Sequence, residues 1–438
     1  MRRRERRRST KAVDPLAALP PLPRRFLAPI ERAVLGGRFL GRAPDGRVVW
    51  LDEALQLNEM VEVEVYRARR KSLDGRRVSP SSVAPAPCPE VDRCGGCPWQ
   101  RLTREEQLGG LERDIRHLLQ PIFGAELPWA SPWVSAQRDD LAWRSTTRLH
   151  WRAGELGFYR AKSSELIPIA RCPILAPPLP QLLEALRAHL SLLPREGELR
   201  LSAARGAASG TLSLHPKELR VGEQEGFAEL ARRLLEGELC HGVSLMSPRG
   251  ERLASWGEPL NQHASAPHPA ESFMQAHQEG NEALIAEVLS ACPPEPRSIL
   301  DYYAGAGNFS LPLARAGHRV TAVERAPAPV AALTAQAERE SLSLRAIEAG
   351  DEQLPPGDFE LLVLDPPRAG AKRIISALCA APHPTLRKLI YLSCHPAAAA
   401  RDLATLAGVG WKLERARLFH LFPHSGHGEL VFVLSAPD

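Results

Sequence analysis

The sequence lacks any long apolar run, and this absence excludes a helical membrane protein. Hydrophobic residues make up 44% of the 438 residues, yet no stretch approaches the roughly 18–20 apolar residues of a membrane-spanning helix. The N-terminus is rich in arginine but no apolar segment follows, which excludes a secretory signal. We therefore expect a soluble, cytoplasmic protein with no membrane partner. A chain of this length exceeds one ordinary core, so two or three domains are expected.

The sequence also lacks an excess of positive charge outside its N-terminus, although its formal net charge is +5. Six arginines and one lysine stand against Glu5 in Met1–Lys11, a local charge of +6, so the rest of the chain carries −1. An anionic partner would therefore meet this arm and local basic patches, such as Arg67–Arg77 and Arg138–Lys162. Each patch is equally compatible with an ordinary solvated face. We expect residues 1–29 to form a disordered basic arm.

Cysteine is scarce but unevenly placed. Cys88, Cys94 and Cys97 form a C-x5-C-x2-C cluster around two glycines, and Cys172 follows far downstream. In a cytoplasmic chain cysteines are more often ligands, catalysts or core residues than disulfides. Four thiolates can hold zinc or an iron–sulfur cluster. A zinc ribbon usually shows two C-x2-C pairs, which Cys172 does not complete, so the spacing favours iron–sulfur.

The first half of the chain predicts two β-rich units. Residues 30–84 show short β-like runs punctuated by glycine, with period-two alternation in Val61–Val65, which is typical of a small barrel. Such barrels either bind single-stranded nucleic acid or are purely structural. Residues 85–272 follow a proline-rich linker, with a helix over Thr103–Leu119 and a β-rich remainder. Aromatic residues interleaved with arginine in Trp143–Trp151 suit either base stacking or an ordinary amphipathic strand.

Residues 273–438 show a regular βα pattern. A strand ends at Asp301, Gly305–Asn308 forms a glycine turn, and the next strand ends at Glu324, 19 residues after Gly305. Glycines at a helix start let backbone amides approach a ligand, and an acid about 20 residues later is placed for a ribose hydroxyl. Ser310 replaces the third glycine of a dinucleotide fingerprint. The pattern therefore favours another adenosine-bearing ligand, such as S-adenosylmethionine.

Three strand ends of this unit carry a candidate nucleophile, an acid and the glycine turn. Cys394 follows the apolar run Lys388–Leu392, and Asp365 ends the run Phe359–Leu364. Ligands of open α/β sheets bind at the carboxyl ends of the strands. A lone cysteine there is by default a small buried hydrophobe. Beside an acid and the glycine turn, it becomes a candidate nucleophile.

With these motifs placed, the sequence resembles the S-adenosylmethionine-dependent RNA uracil-5-methyltransferase family. It is most similar to the branch with an N-terminal TRAM barrel and a four-cysteine iron–sulfur cluster. The cysteine set carries part of this likeness. The rest lies in Asp301–Asn308 (DYYAGAGN), Asp365–Gly370 (DPPRAG), Ser393–Cys394 and Phe422–Glu429 (FPHSGHGE).

The resemblance implies a fold, ligands and site residues. The fold is α/β, with a Rossmann-like class I methyltransferase domain preceded by a small TRAM- or OB-like barrel and a β-rich central domain. Cys394 would be the nucleophile and Glu429 the base, and the substrate would be RNA, with 23S rRNA favoured and tRNA open. No protein partner is implied. The pocket for cofactor and target base would be lined by Gln275, Tyr303, Gly305, Asn308, Glu324, Asp351 and Asp365. A [4Fe-4S] cluster would be bound by Cys88, Cys94, Cys97 and Cys172.

Three positions depart from the family pattern. His395 and His277 stand where the family has asparagine, and Tyr302–Ala304 replaces a Leu-Phe-Cys segment. Two alternatives follow from the residues themselves. An amino-group methyltransferase would use the Asp365 turn but has no need of Cys394 or Glu429. A non-catalytic RNA-binding protein would carry the same domains with a degenerate site.

Overall fold

The structure is a computed structural model that describes residues 23–79, 85–136, 140–220, 222–261, 268–271, 273–350, 354–380 and 383–437. Most of the predicted arm, residues 1–22, lies outside these ranges. The described chain forms a closed five-stranded barrel, a seven-stranded sheet, a two-stranded ribbon and an eight-stranded sheet. No helix within the described ranges is both long and apolar enough to cross a membrane.

The barrel comes first, and its first strand begins five residues before the predicted boundary at 30. Its strands close in the order β1-β2-β3-β5-β4. The alternation in the fourth strand gives the barrel an apolar interior, because Val61 and Val63 are buried while Glu62 and Glu64 point outwards. The strands are β1 (Arg25–Val34), β2 (Arg38–Arg42), β3 (Val48–Leu51), β4 (Met60–Ala68) and β5 (Ser72–Arg77).

The cysteine segment and one long helix connect the barrel to the rest of the chain. Helix α1 (Arg104–Phe123) begins one residue after the predicted start at Thr103 and ends four residues beyond the predicted end at Leu119, and its start is fixed by a capping box between Thr103 and Glu106. It packs against β1 on one side and a C-terminal helix on the other. Strand β6 (Trp129–Trp133) then pairs in parallel with a strand near the C-terminus. The central segment thus contributes an edge strand to the C-terminal sheet.

The central unit is a seven-stranded sheet with helices on one face. Its order is β13-β12-β11-β10-β7-β8-β9. Leu182 and Phe227 of its two helices pack on Leu199 and Leu212 of the sheet, so one face is covered. The elements are β7 (Thr146–Arg152), β8 (Glu155–Tyr159), β9 (Leu166–Pro168), α2 (Leu179–Ala188), β10 (Glu196–Ser202), β11 (Gly210–Pro216), α3 (Gln224–Glu236), β12 (Cys240–Met246), β13 (Arg252–Gly257) and the ribbon β14 (Leu260–Asn261) with β15 (His268–Pro269).

The C-terminal unit is a Rossmann-like sheet in the order β18-β17-β16-β19-β20-β22-β21-β6. All four residues of its β19 are buried, as expected for a strand covered on both faces. The predicted α/β architecture is confirmed. The elements are α4 (Gln278–Ala291), β16 (Ser298–Tyr302), α5 (Ser310–Arg315), β17 (Arg319–Glu324), α6 (Pro327–Arg339), β18 (Leu344–Glu348), β19 (Leu361–Leu364), α7 (Lys372–Ala380), β20 (Lys388–Ser393), α8 (Pro396–Gly408), β21 (Lys412–Phe419) and β22 (Glu429–Ser435).

Candidate active site

The register of two neighbouring strands brings the predicted nucleophile and base together. Strands β20 and β22 are antiparallel, and Ser393 pairs with Leu430. Continuing that register by one residue sets Cys394 opposite Glu429. Glu429 is buried and Cys394 is partly buried. A thiol and a carboxyl group therefore meet at one end of the sheet.

The surroundings of Cys394 keep its thiol protonated. Burial raises the pKa of Cys394 to about 11, and the neighbouring carboxyls Glu429 and Asp365 act in the same direction. Arg368 opposes this effect by stabilising the thiolate. At neutral pH the thiol form therefore predominates. Adding a thiolate to a substrate here requires a proton acceptor or a positive charge brought by the ligand.

Two carboxyl groups lie beside the thiol, the partly buried Asp365 and the buried Glu429, and both have raised pKa values. Burial raises the pKa of Asp365 to about 7, with a further contribution from the charge of Asp301. Burial raises the pKa of Glu429 well above its usual value, and the charge of Asp365 adds to this shift. Because two adjacent carboxylates repel each other, the pair retains a proton near neutral pH. A protonated Asp365 can donate a hydrogen bond to a carbonyl oxygen of a bound base.

The turn that follows Asp365 is fixed by Asp402, a residue that the sequence analysis did not single out. The Asp402 carboxylate accepts hydrogen bonds from the Ala371 amide at 2.6 Å and the Tyr391 hydroxyl at 2.7 Å. The neighbouring Arg401 guanidinium donates to the Ala369 carbonyl at 2.9 Å. An aspartate among the apolar residues of the buried face of helix α8 is the sequence signal that could have identified this role.

The glycine turn lies at the ends of β16 and β17. Gly305 has φ +54°, and its amide donates to the Glu324 carboxylate at 3.1 Å. The other Glu324 oxygen accepts from the Ala326 amide at 2.9 Å. The side-chain amides of Asn308 and Asn281 exchange two hydrogen bonds of 2.9 Å. The structure thus brings Gly305, Glu324 and Asn308 to one edge, as a nucleoside pocket requires.

The structure describes two of the other three predicted pocket residues. Tyr303 lies on the same turn with φ +72°, a left-handed conformation that is uncommon outside glycine. Gln275 is half-buried and precedes helix α4. Asp351 lies outside the described residues.

Both histidines that depart from the family pattern cap helices. His277 Nδ1 accepts a hydrogen bond from the Gly280 amide at 3.2 Å, at the start of α4. His395 Nδ1 accepts from the Ala398 amide at 3.2 Å, at the start of α8. Asparagine is a preferred N-cap because its side-chain oxygen accepts in the same way. At both positions the histidine Nδ1 therefore fills the structural role of the asparagine side-chain oxygen.

The four predicted ligand cysteines line one cavity. This cavity has a volume of about 260 Å³ and is bordered by Cys88, Cys94, Cys97 and Cys172. Burial, assisted by the other cysteines, raises the pKa of the Cys97 thiol, and burial raises that of Cys172 to about 11. Within the described ranges, no three His, Cys, Asp or Glu side chains are arranged to hold a metal ion. The structure therefore brings the four thiols around a cavity.

Two tryptophans of the segment Trp143–Trp151 are core residues. Trp151 is 1% exposed and Trp143 is 8% exposed, so the amphipathic-strand interpretation of this segment is the correct one. Tyr159 differs, because its ring stacks on His150 at 4.1 Å between centroids beside Arg152. These two rings border the cysteine cavity.

Comparisons with known proteins agree with this geometry. A sequence model of the family described as tRNA (Uracil-5-)-methyltransferase matches residues 262–352. The chain is 32% identical over 432 residues to the 23S rRNA (uracil(1939)-C(5))-methyltransferase RlmD of Pseudomonas putida, covering 93% of each protein. It is 33% identical to the protein of the same name from Halomonas elongata, covering 92% of this chain and 88% of that one.

A solved structure shows the same fold. The tRNA (uracil-54, C5)-methyltransferase of Pyrococcus abyssi, in complex with S-adenosyl-L-homocysteine, aligns with a TM-score of 0.70. The alignment covers 93% of this chain and 100% of the other, at 20% identity. At that identity the likeness concerns the fold alone. With full-length relatives above 30% identity, the chain belongs to the RNA uracil-5-methyltransferase family of enzymes.

Proposed function

We propose that the protein transfers a methyl group from S-adenosylmethionine to carbon 5 of a uridine in 23S rRNA. The observation that carries this proposal is the position of Cys394 and Glu429 at adjacent strand ends, next to the paired residues Ser393 and Leu430. An amino-group methyltransferase needs neither residue. The geometry equally disfavours a passive RNA-binding protein, because two carboxyl groups with raised pKa values beside a thiol are typical of a catalytic site.

The residues supply each step of a covalent cycle. Carbon 5 of uracil is a poor nucleophile until the Cys394 thiolate adds to carbon 6, which places an electron pair on the enolate. Asp365 in its neutral form stabilises that enolate by donating a hydrogen bond to its oxygen. Carbon 5 then takes the methyl group from the sulfonium, which departs as the neutral thioether. Glu429, as the ionised member of the pair that shares one proton with Asp365, removes the carbon 5 proton, the double bond reforms, and the Cys394 sulfur leaves carbon 6 as a thiolate.

The cofactor pocket follows from the same strand ends. We assign the ribose to Glu324, whose carboxylate lies at the end of β17 beside the glycine turn. Gln275, Tyr303, Gly305, Asn308 and Asp351 are proposed to complete the pocket around the cofactor. The positive sulfonium near Cys394 would favour the thiolate, which offsets the burial that raises its pKa.

The choice of 23S rRNA rests on the relatives from Pseudomonas putida and Halomonas elongata, whose names specify that substrate. A tRNA substrate is the second candidate, since the family description and the aligned solved structure name tRNA. No protein partner and no membrane is part of the proposal, and ribosomal RNA places the enzyme in the cytoplasm.

Methyl-labelled cofactor distinguishes these substrates. With 23S rRNA and tRNA from cells that lack the gene, wild-type enzyme is expected to label 23S rRNA, and nucleoside digestion is expected to release the label as 5-methyluridine. Label in tRNA would show that tRNA, the second candidate, is the substrate. Label in a base-methylated adenosine or guanosine would reject carbon 5 chemistry.

We further propose that Cys88, Cys94, Cys97 and Cys172 bind a [4Fe-4S] cluster. A single zinc ion needs its donors about 2.3 Å from one point. The four thiols instead border a cavity of about 260 Å³. In a [4Fe-4S] cluster each cysteine binds a different iron, so the thiolates are spread around the cluster. The donor set and the cavity both fit this group.

Protein purified without oxygen is accordingly expected to be brown, with about four iron and four sulfide per chain. Cys97→Ser is expected to lower both contents, because Cys97 is the most deeply buried of the four thiols. Cys292→Ser is the control, since Cys292 lies in the C-terminal unit. Metal analysis and sulfide assay give the result, and one zinc per chain without sulfide would contradict the cluster.

A further inference from the structure

The loop that leads into the catalytic base is held by parts of the chain remote in sequence. This base loop, residues 420–428, connects β21 to β22, and Glu429 follows it directly. His424 at its centre has φ +67°, a conformation that a non-glycine residue rarely adopts. Surrounding contacts must therefore stabilise the loop in this shape.

The first support comes from the barrel. The turn between β1 and β2, residues 35–37, is called here the barrel turn. The Gly36 amide donates to the Gly426 carbonyl at 2.8 Å. A Cβ atom at Gly426 would lie 2.0 Å from the Gly37 nitrogen. The two backbones therefore touch directly, and any side chain at Gly426 would push the barrel turn and the base loop apart.

The second support comes from the segment after the cysteine cluster. The Trp99 amide donates to the His424 carbonyl at 2.9 Å, and the His424 amide donates to the Gln107 side-chain oxygen at 2.7 Å. The Gln107 side-chain nitrogen donates to the Leu102 carbonyl at 3.0 Å. Trp99 and Gln107 are both buried. Both backbone groups of His424 are thus bonded outside the C-terminal unit.

The two supports also touch each other. A Cβ atom at Gly37, which has φ +81°, would lie 2.6 Å from the Pro98 side chain. The barrel turn therefore packs between Pro98 and the base loop. One apolar core continues from the barrel through Leu111 of α1 to Leu434 of β22. Because the packing around the barrel turn is tight, a displacement of this turn also displaces the base loop.

We infer that the barrel turn positions Glu429 and so takes part in removing the carbon 5 proton. Gly426 lies three residues before Glu429, so moving the loop moves the carboxyl group. The barrel then serves catalysis in addition to any contact with RNA. This inference rests on the function proposed above, in which Glu429 acts after methyl transfer.

That order of steps gives a readout specific to positioning. Displacing Glu429 slows proton removal but leaves thiolate addition and methyl transfer intact. A displacement of about 1 Å costs a reacting group on the order of 100-fold in rate. The methylated covalent protein–RNA adduct should therefore accumulate. Loss of an RNA contact would weaken binding and produce no such adduct.

The experiment compares three glycine variants of the full chain. Gly37→Ala and Gly426→Ala introduce the close contacts, whereas Gly46→Ala is the matched control. Gly46 lies in another barrel turn with φ +83° and has nothing within 4 Å of a Cβ, so it carries the same backbone strain without the contact. Each variant is incubated with methyl-labelled cofactor and a 23S rRNA transcript and run on a denaturing gel.

Gly37→Ala and Gly426→Ala are expected to raise the labelled adduct at least about tenfold over wild type, with unchanged RNA affinity. Gly46→Ala is expected to match wild type. Weaker RNA binding without adduct in Gly37→Ala, or wild-type behaviour, would overturn the inference. Glu429→Gln on the same gel separates the two proposals. Adduct in Glu429→Gln alone rejects the positioning role, and no adduct in any variant rejects the covalent mechanism and the inference with it.

Gln107→Met covers the case in which a glycine variant fails to fold. Methionine keeps the volume of the buried side chain but removes the hydrogen bond that holds the His424 amide. Thermal unfolding identifies which variants are folded. A folded Gln107→Met enzyme is expected to accumulate the same labelled adduct, and its absence would reject the proposed positioning from this side as well.

Discussion

Cys394→Ala is expected to bind RNA and cofactor with wild-type affinity and to form no methylated product. Without the thiolate, carbon 5 of uracil never gains the electron pair that attacks the methyl group. Losing an essential nucleophile costs on the order of 10⁴-fold or more in rate. Single-turnover methyl transfer measures the rate, and filter retention of labelled RNA measures binding.

Cys379→Ala is the matched control for this variant. Cys379 is also partly buried in the C-terminal unit, and burial likewise raises its pKa. It lies on helix α7, away from the strand ends, so its removal should leave the rate unchanged. Methyl transfer by Cys394→Ala at a rate near that of wild type would contradict the role of the thiolate.

Glu429→Gln is expected to release almost no methylated RNA although it still transfers the methyl group. Glutamine keeps the shape of the buried side chain but cannot accept the carbon 5 proton. The Cys394 sulfur then cannot leave carbon 6. Release of product should fall by about 10²–10⁴-fold, the usual contribution of a general base. Multiple-turnover release and single-turnover label incorporation, measured together, separate the two steps.

Glu287→Gln serves as its control. Glu287 is likewise a buried glutamate of the C-terminal unit, but its carboxylate is bonded to Arg417 at 2.7 Å and to Arg415 at 2.9 Å. It lies on helix α4, so its replacement is expected to alter stability and to leave the order of steps unchanged. Equal loss of incorporation and release in Glu429→Gln would place Glu429 before methyl transfer.

The sequence predicted the parts of the fold that depend on local pattern. A continuous apolar run such as Leu361–Leu364 predicts a strand that is buried on both faces, and it is buried. The alternation around Val63 predicts a strand with one buried face, and the structure has one there. Strand ends of a parallel sheet share an edge, so placing Cys394 and Asp365 on strand ends already predicted that they would be neighbours. The capping of α8 by His395 follows from the same chemistry as the asparagine that it replaces.

Contacts between distant segments could not be predicted in this way. Gln107 and His424 are separated by 317 residues, and no local period relates them. The same applies to β6, whose pairing with β21 joins the central segment to the C-terminal sheet. Asp402 bonds across two elements through a single side chain. The roles of these residues depend on how whole units pack together, and local patterns in one sequence do not reveal that packing.

The most direct test of the account is a denaturing gel of Glu429→Gln, Cys394→Ala and the double variant with methyl-labelled cofactor and a 23S rRNA transcript. The account predicts a labelled protein–RNA band in Glu429→Gln alone, because the trap needs the thiolate and forms only when the carbon 5 proton cannot leave. The absence of that band in Glu429→Gln, or its presence in the double variant, would contradict the covalent mechanism.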